Sequence, residues 1–172
     1  MIASQDVALG PILPVDLPLL CLWEDDPAIV RLNRPYLPQD YHRQSEFWLN
    51  GSGDRGRVFF AIRDREGPGI LGYVQIMEIE PIHRCAALGI LVGAAQDRGK
   101  GYGRQAMTLA IDYCWRHLNL TRLTLRVQSD NVPALALYRQ LGFEVEGVLR
   151  RAEFIDGRWV DLTLMALIHP DR

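Results

Sequence analysis

A chain of 172 residues with 48% hydrophobic side chains is the size of one domain that can bury a core without disulfides, metals or a partner. Its formal net charge of -2 and sequence pI near 6.1 exclude the overall basic field of a nonspecific nucleic-acid binder and confine any polyanion site to a local cluster. Cys21, Cys85 and Cys114 are odd in number, widely spaced and without a CxxC pair, against a disulfide framework or zinc cluster. No metal is expected, and a reducing cytoplasm is the simplest setting. The first residues lack the basic and apolar regions of a signal peptide, and no uncharged run approaches a membrane span. A soluble chain with no membrane partner is therefore expected.

In chain order, a short strand at 7–9 precedes Pro14-Val-Asp-Leu17, where Asp16 and Pro18 suit a helix start and Leu17, Leu20 and Cys21 give it an apolar face. That helix should stop before Pro27. Residues 23–48, rich in proline, aromatic and charged side chains, predict two short helices near 28–33 and 41–49, a cap and not core. Gly51-Ser-Gly-Asp-Arg-Gly56 reads as a flexible connection, with a lid as the alternative. Strands are predicted at 57–62 and 70–80, joined by Asp64-Arg-Glu-Gly-Pro-Gly69, and at 84–92 after a turn at Pro81. Residues 103–118 repeat Ala106, Ala110, Tyr113 and His117 at helical spacing. A strand at 122–128 follows, then a helix capped by Asn131, with Pro133 in its first turn and Gly142 just past its end. Strands at 143–155 and 158–167 pair across Asp156-Gly157, a two-residue type I′ turn.

The most informative stretch is Gln96-Asp-Arg-Gly-Lys-Gly-Tyr-Gly103, which lies between the apolar run Leu88-Gly-Ile-Leu-Val92 and the helix. Strand, glycine turn and helix start in that order make an anion cradle, because the first helical N–H groups lack intrahelical acceptors and the helix dipole adds positive charge there. Arg98, Lys100 and Arg104 add mobile cations. Gly101-Tyr-Gly103-Arg-Gln-Ala106 also fits the dinucleotide fingerprint G-x-G-x-x-A, but too few βαβ units follow it, and no acidic residue stands near 121–123, ~20 residues on, to hold a ribose. A nucleotide-triphosphate loop fails too: Gly101 follows Lys100 where Ser or Thr is needed, and Ala94 takes the place of the first glycine.

Gln96, Gly99 and Gly101 satisfy Q/R-x-x-G-x-G/A, and Asn131-x-x-Ala134-x-x-x-Tyr138-x-x-x-Gly142-Phe143 follows at the expected distance. In both segments the chain resembles the GNAT family of acyl-CoA-dependent N-acetyltransferases. Its closing Glu146-Gly-Val-Leu-Arg…Phe154-Ile-Asp-Gly-Arg-Trp159 is similar to the branch of ribosomal-protein, polyamine and amino-sugar acetyltransferases. The resemblance covers roughly 58–167. It implies an α/β (α+β) fold with a mixed, mostly antiparallel twisted sheet flanked by helices, in one domain over 1–172 with an acceptor-side cap at about 11–56 and an acetyl-CoA-binding core at about 57–168. It also implies acetyl-CoA as cosubstrate, direct transfer to a primary amine, and a homodimer.

The main chain of Arg98, Gly99, Lys100, Gly101, Tyr102, Gly103 and Arg104 is expected to hold the pyrophosphate. The resemblance assigns the pantetheine arm to the strand edge at Ile90, Leu91 and Val92, with Asn131 and Ala134 beside it. Tyr138 reads either as a core aromatic or as the phenol that protonates or hydrogen-bonds the departing thiolate. Many relatives carry Ala-Glu-Ile-Gly before the cradle where this chain has Ala86-Ala87-Leu88-Gly89, which leaves Glu78, Glu80 and His83 as alternatives for deprotonating the amine. Trp23, Glu24, Asp25 and Asp26 could attract a cationic acceptor, or be a helix-end loop with solvated acids. Tyr36, Tyr41, Phe47 and Trp48 could stack on a sugar or base, or bury the cap helices. Cys85 and Cys114 read as packing residues and not acyl carriers. The expected acceptor is a small-molecule amine, an amino sugar, sugar nucleotide or polyamine. A protein N-terminus and a non-catalytic acyl-CoA sensor are the alternatives.

Overall fold

The computed structural model describes residues 1–51 and 56–171. Most of the predicted 51–56 connection lies outside the described residues. One eight-stranded sheet runs through the molecule in the order β1-β2-β3-β4-β5-β6-β8-β7. The strands are β1 (Ile2–Ala3), β2 (Val7–Gly10), β3 (Val58–Asp64), β4 (Ile70–Glu80), β5 (Cys85–Val92), β6 (Arg122–Gln128), β7 (Glu144–Ile155) and β8 (Arg158–Ile168). Every pairing is antiparallel except β5 with β6, which are joined by a crossover through α4 (Tyr102–Arg116) as parallel neighbours require. The mixed, mostly antiparallel sheet expected from the sequence is the observed one. Asp156 and Gly157 both have positive φ, 51° and 78°, the geometry of a type I′ hairpin turn.

Strand alternation divides the core between two faces. On one, Leu123, Leu125 and Val127 of β6 pack with Met107 and Cys114 of α4 and with Leu135 and Tyr138 of α5 (Val132–Gln140). Ala106 and Ala110 lie against Val7, Leu9, Ile62 and Val74. These two small side chains bring α4 close to the sheet and rotate its buried stripe to Ala106, Met107, Ala110 and Cys114. The predicted stripe included Tyr113 and His117, which instead stack on each other at its margin, ring centroids 5.2 Å apart.

The other face carries α1 (Leu17–Glu24), α2 (Pro27–Val30) and α3 (Tyr41–Asn50). Here the reading of 23–48 as a cap and not core is corrected, because Trp23 and Trp48 are buried together with Leu17 and Leu20 against Phe59, Ala61, Tyr73 and Leu91. The Trp48 ring lies 4.6 Å from that of Tyr73. Trp23 sits so tightly on Gly93 that a Cβ there would fall 2.0 Å from the indole. Each buried aromatic contributes roughly 2–3 kcal/mol, so the segment stabilises the fold as well as shaping a site.

Asp16 ends the 3-10 turn Pro14–Asp16 and is buried, accepting from Leu13 N at 2.8 Å and from the Arg63 guanidinium at 2.6 and 3.1 Å. Asp16→Asn keeps the shape but removes the charge that compensates Arg63. It should destabilise by about 3 kcal/mol, read as a lower urea midpoint at unchanged slope. An unchanged midpoint would show that the pair adds nothing.

Candidate active site

Strands β5 and β6 pair only where Cys85, Ala86 and Ala87 face Arg122, Leu123 and Thr124. Beyond Ala87 they part, and the sheet forms a fork. Leu71 O accepts from Gly93 N, and Tyr73 stands opposite Leu91, so alternation turns the Leu91 main chain toward β4 and those of Ile90 and Val92 toward the fork. Accordingly Ile90 O accepts from Asn33 Nδ2 at 3.5 Å and Val92 O from Arg98 Nε at 3.1 Å. Of the three predicted edge residues, Leu91 is the one whose main chain is already committed to the sheet.

At the end of β5 the 3-10 turn Ala95–Asp97 leads into the glycines. Gly99 and Gly101 have φ of 76° and 86°, a region costly for residues with a Cβ. Arg98 N donates to Ala95 O, and the next N–H with a main-chain acceptor among the described residues is that of Gln105, on Gly101 O. The intervening N–H groups of residues 99–104 form the cradle, which begins one residue later than predicted. The cations are also less mobile than expected. Arg98 folds back onto the carbonyls of Val92 and Gly93, and Lys100 lies 3.2 Å from Asp97 and over the Tyr102 ring.

A cavity of about 1040 Å³ opens from this cradle, walled by Gly99, Gly101, Gly103 and Arg104, by Val92 and Gln128 at the fork, and by Asn131 and Ala134 of α5. Lys100 and Tyr102 do not line it. Asn131 Oδ1 accepts from Ala134 N at 3.3 Å, so Asn131 caps α5 and faces the cavity at once. Arg158, 2.7 Å from Asp130, and Arg31 line its far side. The positive-φ glycines, the free N–H run and the outward-turned edge of β5 fit a long diphosphate with an amide arm. These features suit acetyl-CoA.

A second cavity, about 660 Å³, lies under α1–α3 and receives Tyr138 through the fork. Tyr138 is 8% exposed, its ring 6.0 Å from Phe143, and burial pushes its phenol up to about 12. Its hydroxyl makes no hydrogen bond among the described residues. Ala87 lines the same wall and presents only a methyl group to the cavity. Glu78 also lines it, from a bulge in β4 where register shifts between Met77 and Glu80 and Glu78 takes φ 52°. Such bulges re-aim side chains. Glu80 and His83 do not line either cavity. Glu80 remains in the ladder opposite Cys85, and His83 is exposed in the following turn.

Of the Trp23 to Asp26 cluster only Glu24 reaches this cavity. Trp23 is core, Asp25 accepts from the Tyr36 hydroxyl at 2.9 Å, and Asp26 caps α2 through Ala28 N at 2.8 Å. Glu24 accepts from Tyr73 at 2.7 Å and pairs with Arg34. Burial first, then the Glu24 charge, holds the Tyr73 phenol well above its ordinary range. At the opposite end Arg122 clasps Glu146 through bonds of 2.7 and 2.5 Å. Phe47 and Trp48 both line the cavity, Trp48 while also buried in the core, whereas Tyr36 and Tyr41 line neither cavity.

Sequence reasoning missed Arg34, Tyr73, Arg122, Arg126 and Glu146. One signal existed: Arg122, Thr124 and Arg126 alternate with Leu123, Leu125 and Val127, marking one face of β6 as polar. The cap-and-core division is also blurred, since Arg31 and Leu32 border the cradle cavity while Arg122 and Glu146 border the other. Cys114 is buried with its thiol raised to about 12, unsuited to carry an acyl group. No group of three metal-ligating residues occurs among the described residues, and no helix there is long and apolar enough to cross a membrane.

The family model for the acetyltransferase (GNAT) domain matches residues 6–144. The chain is 30% identical over 170 residues to the spermidine N(1)-acetyltransferase of Escherichia coli (strain K12), spanning 97% of this chain and 88% of that one. It is 32% identical over 129 residues to the [ribosomal protein uS5]-alanine N-acetyltransferase of the same strain, spanning 74% and 63%. The crystal structure of spermidine N-acetyltransferase from Vibrio cholerae in complex with CoA and spermine superposes with a TM-score of 0.89 at 27% identity, over 95% of this chain and 96% of that one.

Proposed function

Because this chain belongs to the GNAT acetyltransferase family and is an acetyl-CoA-dependent N-acetyltransferase, we propose that its acceptor is a primary amine of a polyamine. The observation that carries this reading is the placement of carboxylates along the Tyr138 cavity. Glu24 meets Tyr73, level with Leu91; Glu78 follows Met77, level with Ala87; Glu146 meets Arg122, level with Cys85. From Cys85 to Leu91 is about 20 Å of extended strand. Carboxylates distributed over such a length suit an elongated acceptor with several ammonium groups better than a compact sugar. Spermidine acetyltransferases among the relatives support the same class.

In this reading residues 11–51 supply much of the acceptor-side wall and 57–168 most of the coenzyme-binding core, with Arg31 and Leu32 on the coenzyme side and Glu78, Arg122 and Glu146 on the acceptor side. The N–H groups of residues 99–104 bind the pyrophosphate, while Ile90, Val92, Asn131 and Ala134 flank the pantetheine arm. Acetyl-CoA supplies an acetyl group activated as a thioester. Alkyl amines are mostly protonated near neutrality, so Glu78, directly or through water, takes the ammonium proton and leaves a lone pair for attack. As the new N–C bond forms and the C–S bond breaks, Tyr138 donates a hydrogen bond to the departing sulfur, and the second proton shed by the acylated nitrogen passes through water to that sulfur, which leaves as the CoA thiol. Glu24 and Glu146 hold the charged remainder of the acceptor, exchanging their arginine partners for its ammonium groups.

A panel of amines with acetyl-CoA, read out as free thiol, tests the reading. Spermidine and spermine should turn over with kcat/KM at least roughly tenfold above amino sugars and an N-terminal alanine peptide, about 1.4 kcal/mol of discrimination. Preference for the peptide would overturn the polyamine assignment in favour of a protein N-terminus.

A further inference from the structure

The turn after α2, residues 31–34, crosses the open end of the fork and is tied to both of its strands. On β6, Gln128 Nε2 donates to Arg31 O at 2.5 Å; on β5, Ile90 O accepts from Asn33 Nδ2 at 3.5 Å. The two attachments differ in kind. Gln128 is 4% exposed and makes a short bond, so losing it would leave a buried amide unsatisfied. Asn33 is exposed and its bond lies at the long limit of hydrogen bonding, so it can be exchanged at little cost.

The turn also walls both cavities. Arg31 and Leu32 face the cradle side; Asn33 and Arg34 face the Tyr138 side. Ile90 O, the atom held by Asn33, is one of the outward-turned groups that β5 offers to the amides of a pantetheine arm. Asn33 thus stands on the fork side of an acceptor with two lone pairs, where an amide N–H arriving from the fork meets it.

We propose that residues 31–34 form a strap with one releasable and one permanent anchor. Asn33 holds the place on Ile90 that an amide N–H of the coenzyme takes, and Gln128 is a positioning residue that keeps the strap in place as a wall while Asn33 lets go. The two anchors of the same turn then have opposite effects on coenzyme affinity. A merely structural turn would weaken binding whichever end were cut.

The dissociation constant of CoA, measured by titration calorimetry on the full chain, reads this without depending on any acceptor. Asn33→Ala should tighten CoA about three- to fivefold, because a competing hydrogen bond is removed. Gln128→Glu, the same shape without a donor, should weaken it about tenfold or more, as should Gln128→Ala. Thermal melts accompany each titration. Asn33 is exposed, so its variant remains folded and informative even if Gln128→Ala does not. Unchanged or weaker CoA binding by Asn33→Ala overturns the proposal, as does wild-type affinity in Gln128→Glu. The inference rests on the fork being the pantetheine site. If the wild-type chain fails to bind CoA, both readings fall; if it binds CoA and loses affinity in Gly101→Ala without gaining any in Asn33→Ala, only the strap is wrong.

Discussion

Tyr138→Phe should lower kcat by about a hundred- to a thousandfold while leaving the folded chain intact. Phenylalanine fills the same space beside Phe143, and the lost hydroxyl has no hydrogen-bond partner among the described residues, so the melting temperature should move by less than ~2 °C. The rate effect follows from a hydrogen-bond donor standing where negative charge grows on the departing sulfur. With burial raising the phenol to about 12, it stays protonated throughout the working range and is always a donor. Complete proton transfer to a thiolate, an ordinarily weaker base than this phenolate, would be uphill. In the proposed mechanism Tyr138 therefore hydrogen-bonds the sulfur as charge grows there and does not ionise outright, a narrower role than full protonation. The pH dependence has a defined sign: rate rises with pH as the acceptor amine loses its proton, and Tyr138 imposes no fall until pH approaches about 12. Tyr138→Phe should keep the rising limb at a lower height. Near-wild-type kcat in this variant would remove Tyr138 from the chemistry.

Gly101→Ala should raise the KM for acetyl-CoA by about thirty- to a hundredfold, with the larger part of the loss in binding and not in kcat. A Cβ at Gly101 meets nothing within 4 Å, so no packing clash opposes the change. Two costs remain. The φ of 86° charges an ordinary residue about 1–2 kcal/mol, for which the melting temperature should fall by roughly 2–8 °C. The added methyl also stands on the wall of the cradle cavity, where main-chain N–H groups must come within hydrogen-bond distance of the phosphoryl oxygens. An acetyl-CoA KM within about twofold of wild type, in a variant that folds, would place the diphosphate elsewhere.

Much of this architecture was legible because its signals are local. A strand, a glycine turn with αL positions and a helix start lie within about thirty residues, and each depends on bonds between near neighbours. The Asp156-Gly157 turn and the Asn131 cap are of the same kind, and both occur as read. Errors arose where a local pattern had two outcomes. Residues 23–48 are polar enough to resemble a cap, yet Trp23 and Trp48 find Gly93, Phe59 and Tyr73 in distant strands. The α4 stripe has the right period but the wrong phase, because close approach favours Ala106 and Ala110 over larger side chains.

The candidate site divides along the same line. Gly99, Gly101, Gly103, Asn131 and Tyr138 stand in motifs the sequence shows, Ile90 and Val92 followed from the family resemblance, and Glu78 stood among three alternatives. Its selection over Glu80 and His83 depends on a bulge, which sequence periodicity conceals. The pairings of Glu24 with Tyr73 and Arg34, Arg122 with Glu146, and Gln128 with Arg31 leave no mark in the sequence. Their partners are ten to ninety-seven residues apart.

By itself, then, the sequence determined the glycine turn that opens α4, the succession of strands and helices from β2 onward and the tyrosine on α5, because short-range hydrogen bonding and side-chain periodicity dictate them. Only the tertiary structure decided which carboxylates line the Tyr138 cavity, which arginines are already committed, and that one turn bridges the fork. A charge is the same letter in a sequence whether it is solvated, buried or paired, and only the folded chain brings its neighbours within the few ångströms over which that difference acts.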